Sequence, residues 1–139
     1  MIDVTKYSFQ IEVQELNSPQ IEIIFTLCKS LTKNEFEDLA YDTIHVTIYN
    51  WFQLSYFSAF QFPLTYYSMQ RQYIDYRRRN FGVAITLANN DLSSLNNLFN
   101  LLEKTLIFQF GHTNAIEKII VKNIPCDAFD YQEYKKGIL

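Results

Sequence analysis

Asp38, Asp42 and His45 fall at i, i+4 and i+7. On an α-helix that spacing stacks two carboxylates and an imidazole along one side, where groups one turn apart can chelate a metal ion. The sequence marks no further ligand, and acids near a helix start are favoured by the helix dipole. The three residues are therefore read as a solvated helical face, with no metal and no cofactor expected. Nucleophilic catalysis has less behind it. Cys28 lies in a predicted strand and Cys126 follows Pro125, with His45 and His112 as the available bases and no motif to orient them. Cys28 is expected to be an ordinary buried thiol. There is no G-x-S-x-G and no H-E-x-x-H, and the three glycines, Gly82, Gly111 and Gly137, cannot make a phosphate cradle. No catalytic residue is assigned, and enzymatic activity is not expected.

Binding chemistry is better represented. All four arginines, Arg71, Arg77, Arg78 and Arg79, lie within nine positions and are interleaved with or preceded by Tyr66, Tyr67, Tyr73 and Tyr76. Arginine offers planar, multi-donor recognition of carboxylates and phosphates and stacks on aromatic rings, while tyrosine supplies a large contact area at little entropic cost. These eight residues are the expected partner-binding surface, suited to an acidic protein, RNA or a phosphorylated ligand. The competing reading is a basic loop that neutralises the acids of the first helix.

Just before this segment, from residue 44 to residue 69, the chain has no Asp, Glu, Lys or Arg but nine aromatic residues. Asn50, Gln53, Ser55, Ser58, Gln61 and Pro63 make the stretch too polar for a transmembrane helix. It must be core or be covered by a partner.

The elements that position these groups belong to a chain of 139 residues, 48% hydrophobic and 17% aromatic. That is enough for a single globular domain, residues 1–139, with one core. A net charge of −3 conceals an asymmetry, with eight acids and three lysines in residues 1–50. An acidic surface suits a basic protein partner and disfavours nucleic acid. Two distant cysteines make no disulfide framework, and residues 1–20 lack an apolar run, so a cytoplasmic location is expected.

Tyr7, Phe9, Ile11 and Val13 alternate with polar residues as in a half-buried strand. Residues 21–27 form a second strand, expected to pair antiparallel with the first across Asn17-Ser18-Pro19. Thr32-Lys33-Asn34-Glu35 fits a capping box. The apolar stripe Phe36, Leu39, Ala40, Thr43, Ile44, Thr47, Ile48 and Trp51 then predicts a helix, with Trp51 in the core and Tyr49, Phe52 and Tyr56 on the opposite face. Residues 43–49 also alternate like a strand, but no Gly, Pro or turn cluster interrupts residues 33–60. Residues 64–80 are a tyrosine-rich connection with room for a short helix or an edge strand. A strand over 81–88 follows, then a helix carrying Leu92, Leu95, Leu98, Phe99, Leu102 and Leu106 and closed by Gly111. The last strand, residues 115–121, is expected to be buried on both sides.

The expected fold class is α+β, an antiparallel or mixed sheet of order β-β-α-β-α-β with two amphipathic helices packed against it. The expected function is a small non-enzymatic protein-binding module of the inhibitor or immunity type, neutralising a macromolecule such as a toxin or defence effector. The alternatives are a homo-oligomeric assembly or adaptor subunit, and a ligand-binding or enzymatic domain using residues 66–79.

Overall fold

A computed structural model describes residues 7–16, 20–56, 67–69, 74–86 and 94–124. Five strands, β1 (Gln10–Val13), β2 (Gln20–Leu27), β3 (Tyr67–Met69), β4 (Asn80–Thr86) and β5 (Ile116–Asn123), form one mixed sheet of order β1-β5-β2-β4-β3. β1 runs parallel to β5, and every other neighbour is antiparallel. From β2 onward the plan is a split β-α-β-β-α-β, to which β1 adds an outer strand. The α+β class and the two helices packed against the sheet are as expected.

The opening hairpin is not formed. β5 inserts between β1 and β2, pairing Ile11 with Ile119 on one side and Ile23 with Val121 on the other. Burial explains why. β2 buries residues on both faces, Ile21, Ile23, Phe25 and Leu27 on one and Glu22 and Ile24 on the other, so it is a central strand bonded along both edges. β1 exposes Gln10, Glu12 and Val13 and suits the sheet edge, where charge discourages further pairing. β5 buries Ile119 and Val121 toward the helices, while Lys118, Ile120 and Lys122 on the other face are only half-buried, so it is not buried on both sides as expected. On that face Lys122 Nζ lies 3.4 Å from Glu22 Oε1, whose side chain is 1% exposed.

The first helix begins where the capping box predicts. Thr32 N donates to Glu35 Oε1 at 2.9 Å, and Glu35 N donates to Thr32 Oγ1 at 3.2 Å. It continues without a break as α1 (Lys33–Glu37), a π-helical segment (Asp38–His45) and α2 (Val46–Tyr56). Phe36, Leu39, Ala40, Thr43, Ile44, Ile48 and Trp51 are buried and Thr47 is half-buried, so the predicted stripe holds apart from Thr47 and Trp51 lies in the core. Phe52 is a correction: it is buried rather than outward, because it stands at i+4 from Ile48 and flanks Trp51 on the same face. Tyr49 stays exposed. Tyr56 lies in α2, and only its backbone is described.

α3 (Ser94–Phe110) buries Leu95, Leu98, Phe99, Leu102 and Leu106 as predicted. Gly111 ends it at φ +78°, its N–H donating to Ile107 O at 2.8 Å; this left-handed cap is a conformation that glycine adopts without penalty. Thr43 Oγ1 donates to Gln109 Oε1 at 2.9 Å and links the first helix to α3. The segment before β1 crosses α3, with the Tyr7 hydroxyl donating to Asn96 O and the Tyr7 ring edge-on to Phe99 at 5.7 Å. Among the described residues no helix is long and apolar enough to cross a membrane.

Candidate binding loop and adjoining cavity

Asp75 and Asn80 exchange both backbone hydrogen bonds, each at 3.0 Å, and so close a loop of four residues, Tyr76 to Arg79, at the start of β4. Asp75 organises it: one carboxylate oxygen accepts from Arg77 N at 2.9 Å, and the other lies 3.7 Å from Arg78 Nε. Arg79 N donates to Tyr76 O at 3.1 Å, and Arg79 takes the left-handed conformation at φ +59°. For a residue with a Cβ that conformation carries a cost.

The arginines in this loop do different things. Arg79 turns inward. Its guanidinium carbon sits 3.9 Å from the Tyr76 ring centroid, one terminal nitrogen donates to Tyr76 O, and the other donates to Leu31 O at 3.1 Å and Lys29 O at 3.3 Å. Its backbone carbonyl accepts from Leu27 N at 2.7 Å, where the β2–β5 register shifts at Thr26/Leu27. Tyr76 in turn packs edge-on against buried Phe36 at 5.7 Å. The chain of contacts Phe36, Tyr76, Arg79 therefore fixes the loop to α1 and to the β2–α1 connection. Arg77 and Arg78 remain exposed, and the Arg77 guanidinium has no partner among the described residues. None of the contacts described for these arginines is to Glu35, Glu37, Asp38 or Asp42. Tyr67 lies in edge strand β3, with only its backbone described, and Tyr66, Arg71 and Tyr73 lie outside the described residues.

On the other side of the 29–31 connection lies a cavity of about 520 Å³. Three separated segments build it: the turn after β2 supplies Cys28, Ser30 and Leu31, the helix start supplies Glu35, Asp38 and Leu39, and the end of α3 with its following turn supplies Phe110, His112, Asn114 and Ala115. Cys28 also departs from the expected buried strand thiol. It lies one residue past the strand and is half-buried, its N–H donating to Ala115 O at 2.9 Å and its sulfur 3.0 Å from Ser30 Oγ. His112 Nδ1 accepts from Asn114 N at 3.2 Å, so in the neutral ring the proton is on Nε2. The capping hydrogen bonds from Thr32, backbone first, hold the Glu35 carboxyl below its ordinary value. Cys126 lies outside the described residues.

The sequence-spaced trio Asp38, Asp42 and His45 does not gather. All three sit in the π-helical segment, whose i→i+5 bonding widens the turn, so residues seven apart no longer share one side. Asp38 lines the cavity, while His45 packs near Tyr49 at 5.9 Å and its pKa is lowered by burial. Among the described residues no group of three His, Cys, Asp or Glu is placed to hold a metal ion. Compared with protein families, with curated proteins and with solved structures, the chain matches none.

Proposed function

We propose that the chain is a non-enzymatic protein-binding module of the inhibitor or immunity type, acting in the cytoplasm, and that it contacts its partner through the Tyr76–Arg79 loop. One observation carries this reading: two adjacent arginines, Arg77 and Arg78, are exposed on a loop whose backbone is fixed from behind by Arg79, Tyr76 and Asp75. A fixed loop loses little conformational freedom on binding, so its donors keep more of their interaction energy for the partner. Guanidinium groups pair with carboxylates in bidentate geometry, which makes an acidic patch on the partner the natural complement. A photo-crosslinking residue placed at position 77 or 78 should give one dominant adduct in the source cell, with none from the exposed control position Asn97. Equal labelling from both positions would refute the assignment.

A homo-oligomeric subunit is the second reading. It draws on Phe108, which is 90% exposed on α3, with Leu101, 41% exposed, two turns earlier on the same face. Concentration-dependent sedimentation that disappears in Phe108→Glu would favour it over the first reading.

A further inference from the structure

We infer that the cavity beside the binding loop receives a basic side chain, lysine or arginine, presented by the partner protein. The inference rests on the protein-binding reading above and adds the chemistry of a second contact. Its volume of about 520 Å³ lies within the range of sites that enclose a small ligand or an inserted side chain. Leu31, Leu39, Phe110 and Ala115 provide apolar wall, which suits the methylene stem of a long side chain. Two carboxylates, Glu35 and Asp38, lie in the lining of the same cavity, and among the described residues that line it there is no Lys or Arg, His112 being its one imidazole. An anion is the wrong occupant. The Glu35 amide at the helix start is already taken by Thr32 Oγ1, and the Glu35 carboxylate returns the bond to Thr32 N, so the capping box occupies a donor that a phosphate or carboxylate would need. A neutral apolar group would meet the wall alone, whereas an ammonium or guanidinium on an aliphatic stem meets both the wall and the exposed carboxylates of Glu35 and Asp38.

The placement also fits the loop. Arg79 donates to the carbonyls of Lys29 and Leu31, and Leu31 lines the cavity, so a three-residue connection separates the exposed arginines from the acidic rim. A partner carrying an acidic patch next to a protruding basic residue would meet both, and a partner with charge of only one sign would be repelled by one of them.

The test is a titration of the isolated protein followed by amide chemical shifts, with N-acetylarginine amide, N-acetyllysine amide, neutral N-acetylnorleucine amide, and the free amines agmatine and spermidine as probes. The basic amino-acid amides should shift Cys28, Leu31 and Asn114 saturably, and the neutral analogue should not. Asp38→Asn, at an exposed position where the fold is not at risk, should weaken the effect about fivefold. Ser30→Phe, which fills the rim, should abolish it. Arg77→Ala/Arg78→Ala should leave it unchanged, so a failure here is separable from a failure of the loop. The inference falls if norleucine amide shifts the same residues equally, if none of the probes binds, or if Asp38→Asn has no effect. It also falls if agmatine or spermidine binds far more tightly than either amino-acid amide, since the occupant would then be a free amine.

Discussion

The guanidinium carbon of Arg79 stands 3.9 Å from the centroid of the Tyr76 ring, within its own loop, while the same guanidinium donates to the carbonyls of Lys29 and Leu31 some 50 residues earlier in the chain. A residue that looks in sequence like a third exposed arginine is therefore the clamp that sets the direction of the other two. Its left-handed backbone and its buried Nε, which has no hydrogen-bond partner among the described residues, are costs that these contacts offset.

Removing that side chain should expose the balance. Arg79→Ala should destabilise the fold by about 1.5–3 kcal/mol through lost hydrogen bonds to a charged donor. Arg79→Gly should be less destabilised than Arg79→Ala by about 1 kcal/mol, because glycine adopts φ +59° without a Cβ penalty. Urea unfolding of the two variants measures the difference, and equal values would show that the backbone is unstrained.

Glu22 and Lys122 face each other across β2 and β5 with the carboxylate almost fully buried. Lys122→Met should cost about 3–5 kcal/mol, because it leaves a buried charge without its cation. Glu22→Leu/Lys122→Met should recover most of that loss, since an apolar pair of similar volume needs no compensation. Chemical denaturation of the single and double variants decides it; a double variant no more stable than the single would mean that the pair contributes net stability.

Stability should fall on the acid side. Burial lowers the His45 pKa, so the folded protein holds the neutral ring more firmly than the unfolded chain does. The contribution is fully present above the unfolded value of about 6.5 and is lost as pH falls through the folded one. Glu35 acts in the same direction at lower pH: its capped carboxylate stabilises above the unfolded value and loses that effect as it protonates. Thermal unfolding of wild type and His45→Gln between pH 7 and 5 should show wild type losing stability relative to the variant as the pH drops. Parallel curves would contradict the assignment to His45.

What was legible in the sequence follows from what each signal encodes. Apolar spacing located both helices and put Trp51, Leu98 and Leu102 in the core, because burial on one face is a local property of a helix. Alternation identified Phe9 and Ile11 as inward residues, though Phe9 precedes β1 and Val13, expected inward with them, is exposed; it could not name the neighbouring strand, since the intervening β5 comes from more than 100 residues further along. The π-helical segment left no mark in the sequence, and with it went the expected alignment of Asp38 with His45. Composition grouped Arg77, Arg78 and Arg79, yet only the left-handed turn at Arg79 separates the inward one from the exposed two. The cavity had no spacing signal, since Ser30, Asp38 and Asn114 meet only through the sheet and helix packing.

The central claim is that Arg77 and Arg78 serve recognition rather than folding, and one paired measurement on the double variant Arg77→Ala/Arg78→Ala tests it most directly. Its thermal unfolding should match wild type closely, because exposed ion pairs such as Arg78 with Asp75 contribute only about 0–1 kcal/mol. Its affinity for the crosslinked partner, measured by titration at the same temperature and salt, should fall by more than about 2 kcal/mol, roughly 30-fold. A fully stable double variant that binds the partner with wild-type affinity would contradict the account.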